Sequence, residues 1–132
     1  MTSEARKDEA RSVVRTFIEA VNERNVEATR AATGPGLTMT FPGNTVMHSI
    51  DEFFAWVAGR SPKSAYLYDT IDVLEDGDAL VAYACGSVVG ETASGLAFSG
   101  VRVIDKFVIR NGRVVEKEAW SDMADFLRRA AA

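Results

Sequence analysis

Asn111-Gly112 separates two strand-like runs, Leu96 to Arg110 and Arg113 to Ser121, and this pair constrains the fold more than any other feature of the chain. Both residues tolerate positive φ, as a two-residue hairpin turn requires. The runs on either side are therefore expected to fold back on one another as antiparallel strands. Two further runs precede them, Ala65 to Leu74 and Ala79 to Val89, rich in Tyr, Ile, Val and Ala. Glu75-Asp76-Gly77-Asp78 reads as the turn between these two, and Gly90 to Gly95 as a flexible hairpin tip before Leu96. The C-terminal half is thus expected to be a β-meander.

The N-terminal half has a different period. Ala10, Val13, Val14, Phe17, Ile18 and Val21 recur at three- and four-residue spacings, which puts them on one stripe of a helix from Ser3 to Asn22. A shorter helix is expected from Val26 to Ala32, stopped by Thr33-Gly34-Pro35-Gly36, and then a short strand, Leu37 to Phe41, closed by Pro42-Gly43. Ser49-Ile50-Asp51-Glu52 fits a capping box at the start of a third helix that buries Ile50, Phe53, Phe54 and Val57. Gly59 and Ser61-Pro62 end it. An amphipathic segment from Asp122 to Arg129 closes the sequence. Helices followed by a meander give an α+β domain in which three N-terminal helices pack on one face of a strongly curved antiparallel sheet.

At 132 residues, 47% hydrophobic and 26% charged, the chain has the make-up of one soluble globular domain spanning residues 1–132. No apolar run approaches the roughly 18 residues needed to span a bilayer, so no membrane partner is expected. The charged, acidic N-terminal segment is unlike a secretory signal, and a cytoplasmic location is the expectation. A net charge of −4 with scattered Lys and Arg argues against nucleic acid. One Cys and one His provide no cluster of metal ligands, and neither a metal nor another cofactor is expected. A small hydrophobic molecule is the partner that remains.

Within the Leu96 to Arg110 run, period-two alternation sends Val101, Val103, Asp105, Phe107 and Ile109 to one face and Arg102, Ile104, Lys106, Val108 and Arg110 to the other. The first set is the inner one, so Asp105 faces the core. Burial disfavours an ionised carboxylate, and an acid held in this way can serve proton transfer near neutrality. The alternative is a structural Asp that accepts from backbone or indole N–H groups. Trp120, on the adjoining strand, could supply such an N–H.

The order of Val103-Ile104-Asp105, Asn111-Gly112-Arg113-Val114 and Ala119-Trp120-Ser121-Asp122 resembles the NTF2-like superfamily, particularly its ketosteroid isomerase and SnoaL-like branches. Phe17-Ile18-Glu19-Ala20-Val21, the Thr40 to Gly43 segment and Met47-His48-Ser49 extend the resemblance over nearly the whole chain. It implies a cystatin-like cone of helices on the curved sheet, an apolar pocket between the two, and a homodimer. In ketosteroid isomerase an Asp base moves the proton while a Tyr and a protonated Asp donate to the oxyanion. By resemblance Asp105 matches the protonated Asp, Phe17 stands where the donor Tyr would be, and Thr40 stands where the base would be. The family's steroid isomerisation is therefore not expected.

The Trp120-Ser121-Asp122 ending resembles that of SnoaL-like cyclases and limonene epoxide hydrolase-like enzymes, which makes Asp122 a candidate for acid-base work. The alternative for Asp122 is an N-cap of the terminal helix. His48, the only imidazole, is a candidate proton carrier for Asp105 or an exposed structural residue. Phe17, Thr40, Phe41, Phe54, Trp56, Phe107 and Trp120 are candidate pocket residues, with plain core packing as the alternative for the aromatics. Two functions follow as expectations. One is a SnoaL-like enzyme of isomerase, cyclase or dehydratase type, acting on a hydrophobic carbonyl or polycyclic compound without a cofactor. The other is a non-catalytic ligand-binding or dimerisation module.

Overall fold

The computed structural model describes residues 2–131. Helix α1 (Ser3–Asn22) starts at Thr2, whose side chain accepts from the Ala5 N–H, and it buries Ala10, Val14, Phe17, Ile18 and Val21 as its periodicity requires. Helix α2 (Val26–Ala31) is capped by Asn25. Helix α3 (Ile50–Arg60) begins at the expected capping box: Ser49 Oγ accepts from the Glu52 N–H at 3.1 Å. Glu52 reaches back to the N–H of His48, one residue earlier than the usual partner.

Six strands form one open sheet in the order β2-β1-β6-β5-β4-β3. They are β1 (Thr33–Phe41), β2 (Thr45–Met47), β3 (Lys63–Asp76), β4 (Ala79–Glu91), β5 (Ala97–Arg110) and β6 (Arg113–Ser121). The meander β3-β4-β5-β6 is antiparallel throughout, and Asn111 and Gly112, at φ 51 and 72, make the β5–β6 turn. The sheet departs from the expected antiparallel pattern at one seam, where β1 runs parallel to β6. The chain reaches β1 through a helix rather than a hairpin, which leaves its direction free. Helix α2 stops ahead of Thr33-Gly34-Pro35-Gly36 as expected, but the Gly34-Pro35-Gly36 segment is itself extended rather than a loop. It lies inside β1, within a register shift between Thr33 and Thr38. The short strand β2 was not foreseen. Helix α4 (Met123–Ala130) has no side-chain cap.

Helices α1, α2 and α3 lie against the inner face. Phe17 packs edge-on to Phe107 with ring centroids 5.6 Å apart, and Phe53 stacks on Phe41 at 5.4 Å. Helix α1 also covers the free edge of β3. Arg11 donates to the Ile71 carbonyl, and Asn22 both donates to and accepts from the Tyr66 backbone. A smaller apolar cluster, Val88, Phe98, Val101 and Val103, is covered by Met123 and Phe126 of α4. Among the described residues no helix is long and apolar enough to cross a membrane.

Two bulges decide which side chains meet inside. On β3, Tyr68 pairs with Gly86 and Thr70 with Cys85, so Asp69 is the extra residue. On β6, Glu116 pairs with Val108 and Val114 with Ile109, so Val115 is extra. Each bulge shifts the alternation by one position. Tyr66 and Tyr68 thus share the inner face with Ile71 and Val73, and Lys117 and Ala119 share it with Val114.

Candidate functional site

Strand β5 alternates as its sequence demands, with Val101, Val103, Asp105, Phe107 and Ile109 all buried. Asp105 is 0% exposed and Lys117 is 1% exposed. Lys117 is the inner residue opposite Phe107 on β6, and its Nζ lies 3.6 Å from Asp105 Oδ1. On the other side, the Tyr68 hydroxyl donates to Asp105 Oδ2. Tyr68 belongs to β3, with β4 between it and β5, and it crosses β4 where that strand carries only Gly86 and Ala84. A Cβ on Gly86 would come within 2.0 Å of the Leu67 carbonyl oxygen, so glycine is required there.

The electrostatics of the cluster follow from its burial. Removal from water lowers the Lys117 pKa, and the facing Asp105 carboxylate partly offsets this. Burial, followed by the proximity of Asp105, raises the Tyr68 pKa well above its ordinary value. Tyr68 is therefore a neutral hydroxyl donor across the physiological range. The Lys117 ammonium is further held by aromatic faces, with Nζ 4.6 Å from the Phe41 ring centre and 5.4 Å from that of Tyr66. Among the described residues neither Lys117 Nζ nor Asp105 Oδ1 has a hydrogen-bond partner.

A cavity of about 70 Å³ lies between α3, the end of α1 and the inner sheet face, lined by Phe41, Trp56, Tyr66, Val103 and Asp105 and rimmed by Arg24 and Arg60. Larger hollows exist, including one of about 590 Å³ on the outer sheet face and one of about 260 Å³ beside the β5–β6 turn. These are open depressions without a buried ionisable group. The inner cavity is the candidate site because Asp105 forms part of its wall.

Of the residues singled out from sequence, Asp105, Phe41 and Trp56 meet at this cavity. Phe17 and Phe107 pack together beneath it as core, and Phe54 packs edge-on to Phe53. Thr40 does not reach the cavity. It alternates with the buried Met39 and Phe41 and pairs with Glu118 on β6. Trp120 is 50% exposed on the outer face, so the indole bond to Asp105 offered by the structural alternative does not form. The Val115 bulge is the reason, since it turns Trp120 outward and Lys117 inward.

Asp122 also lies away from the cavity. Its carboxylate accepts from the Arg102 backbone N–H at 2.8 Å and faces the Arg102 guanidinium, and it makes no cap bond to α4. His48 is exposed ahead of α3 and is not part of the cavity wall, so no His48–Asp105 relay exists. The sequence reading missed Tyr66, Tyr68, Lys117, Arg24 and Arg60. The alternation of Ser64, Tyr66 and Tyr68 could have revealed the tyrosines, whereas strict alternation counted from Val114 points Lys117 outward. Among the described residues no group of three or more His, Cys, Asp or Glu could hold a metal ion.

Comparison with solved structures places the architecture. An NTF2-like protein of unknown function from Burkholderia pseudomallei K96243 is 22% identical over 91% of this chain and 95% of its own, with a TM-score of 0.73. TerC co-crystallised with polyporic acid is 15% identical over 94% of this chain and 99% of its own, also with a TM-score of 0.73. A candidate SnoaL-like polyketide cyclase from Jannaschia sp. CCS1 is 20% identical over 90% of this chain and 88% of its own, with a TM-score of 0.67. A search of curated proteins found no match. The SnoaL-like domain family model matches residues 14–117, a span that takes in the C-terminal part of α1, Phe41, Trp56, Tyr66, Asp105 and Lys117, and the chain therefore belongs to the SnoaL-like domain family.

Proposed function

We propose that this protein is a small-molecule enzyme that moves a proton on a hydrophobic carbonyl compound, in the manner of an isomerase, cyclase or dehydratase, without a cofactor. The observation that carries this reading is the fully buried Asp105 on the cavity wall, with the Tyr68 hydroxyl on one oxygen and Lys117 Nζ 3.6 Å from the other. Asp105 is the group that exchanges a proton with the substrate. Tyr68 fixes the carboxylate's orientation, and Lys117 balances its charge and can share its proton. This replaces Asp122 and His48 as proton carriers, because neither lies on the cavity. The Jannaschia cyclase candidate and the polyporic acid complex of TerC support a cyclic carbonyl substrate. A cavity of about 70 Å³ favours a single ring over a polycycle.

The reading also takes the protein as cytoplasmic and as a homodimer formed through the outer sheet face. Leu67, Ile104 and Trp120 are exposed apolar side chains on that face, which supports a covered surface. A second reading, a ligand-binding module without catalysis, is favoured by the complete burial of Asp105, which also suits a purely structural ion pair.

Hydrogen–deuterium exchange α to the carbonyl of cyclic ketones and enones, followed by proton NMR in D2O, separates the two. On the catalytic reading wild type accelerates exchange, and Asp105→Asn, still folded by circular dichroism, loses about 10²- to 10⁴-fold of that rate. Compounds that bind without exchanging, with equal binding by Asp105→Asn, would establish the binding module instead.

A further inference from the structure

Charge is unevenly distributed around the inner cavity. The chain carries a net −4, yet the charged side chains on the cavity are Arg24, Arg60 and Asp105. Asp105 is already faced by Lys117. With one carboxylate and one ammonium cancelling, both arginines remain as excess positive charge. Among the described residues no carboxylate lies within ion-pairing distance of either. Arg24 donates only to neutral oxygens, the carbonyls of Val21, Ser61, Pro62 and Ser64 and the Ser64 hydroxyl. Those bonds fix its position without neutralising it. The Arg60 guanidinium rests over the Trp56 ring, 4.7 Å from its centre, which orients the planar group while leaving its N–H fork free.

The polarity of the cavity is therefore graded. The exposed Arg60 and the half-buried Arg24 stand at the rim, the rings of Phe41, Trp56 and Tyr66 form the walls, and Asp105 closes the floor. A concave site with low-dielectric walls and one sign of excess charge concentrates ligands of the opposite sign. We propose that the ligand is an aryl or alkyl carboxylate, its apolar body among Phe41, Trp56 and Tyr66 and its carboxylate on Arg60, with Arg24 adding long-range attraction. This rests on the reading of the cavity as a substrate site and adds the substrate's charge. The reacting carbon then lies toward Asp105, at the opposite end of the molecule from the carboxylate.

The test pairs phenylacetate with its neutral isostere phenylacetamide. Trp120→Phe leaves Trp56 as the sole indole, and its N–H resonance reports binding to the full chain. Phenylacetate is expected to bind roughly tenfold more tightly than the amide at low ionic strength, and added salt should weaken the acid alone. Arg60→Gln should abolish the preference, and Arg60→Lys should retain part of it. Equal shifts of Trp56 by acid and amide, or a preference unchanged in Arg60→Gln, would overturn the carboxylate assignment while leaving the cavity a ligand site. If neither compound at about 10 mM, a concentration that reveals even millimolar binding, perturbs Trp56, the substrate-site reading falls and this assignment falls with it.

Discussion

The Tyr68 hydroxyl meets the Asp105 carboxylate across an intervening strand, and the two residues stand 37 apart in the chain. Side chains on alternate strands of a sheet are normally screened from one another by the strand between. Here Gly86 faces Tyr68 and Ala84 faces Asp105, so a phenol passes over two residues with almost no side chain. The small residues on β4 thus serve the cluster as directly as the polar ones.

Ala84→Val places two extra methyl groups in that passage. The substitution should cost about 1–3 kcal/mol by overpacking, measured by urea unfolding, and should free the Tyr68 hydroxyl from Asp105. The Tyr68 ring resonances would then lose their dependence on Asp105→Asn. Ring shifts that respond to Asp105→Asn equally in both backgrounds would show that Ala84 does not gate the contact.

Lys117→Met leaves the Asp105 carboxylate buried beside an apolar side chain. Removing one member of a buried pair costs about 3–5 kcal/mol, while removing both charges is far less damaging. The double variant Asp105→Asn/Lys117→Met should accordingly be more stable than Lys117→Met alone. Denaturant midpoints of the four proteins of the cycle give the coupling. Strict additivity would mean that the 3.6 Å approach carries no interaction energy.

Tyr68 makes the fold sensitive to alkali. Its folded pKa lies above the unfolded value of about 10, so above that pH the unfolded chain gives up a proton that the folded chain retains. Stability is unaffected below pH about 10 and falls as pH rises beyond it. Lys117 acts in the opposite sense. Its lowered folded pKa means that stability gains as pH climbs toward about 10.5, where the unfolded lysine also becomes neutral. Tyr68→Phe should therefore flatten the loss above pH 10 by at most about 1.4 kcal/mol per pH unit. An alkaline unfolding limb identical to wild type would contradict this.

The exposed Ile104 and Trp120, paired across β5 and β6 on the outer face, should be central to self-association. Ile104→Asp and Trp120→Asp should each weaken a dimer about 100-fold or more, the loss expected of a central contact. Sedimentation equilibrium near 10 µM, a range in which stable homodimers persist, would read this directly. A wild-type monomer under those conditions would remove the dimer.

Much of this was legible in the sequence, for a physical reason. Wherever alternation ran unbroken, as from Val101 to Ile109, the buried set followed from the residue types, and Asp105 was found because a carboxylate stood where only apolar residues were due. The stripe on α1 and the turn at Asn111-Gly112 were equally plain, because both are local properties. Lys117 was missed and Trp120 misplaced for the opposite reason. Their orientation depends on one unpaired residue, Val115, whose bulging is settled by how β6 fits β5 on one side and β1 on the other. The parallel β1–β6 seam is likewise a matter of which strand arrives beside which. Thr40 and Asp122 were placed by analogy with relatives, and here analogy gave way to the local phase of β1 and to the bond from the Arg102 N–H.

The bulges at Asp69 and Val115 divide their strands into two segments of opposite phase. On one side of each, Ile71, Val73 and Val114 belong to the packed base of the cone. On the other, Tyr66 and Ala119 line the cavity, and Tyr68 and Lys117 meet Asp105 on its wall. Because the phase is reset at a single residue, the two ends can vary independently: a segment that begins just past the bulge can be exchanged between relatives, carrying its pattern of inward side chains with it, without altering the registration of the base. Such junctions are natural splice points for grafting new chemistry onto this scaffold, and chimaeras joined at Asp69 and Val115 should tolerate foreign cavity segments that chimaeras joined two or three residues away would not.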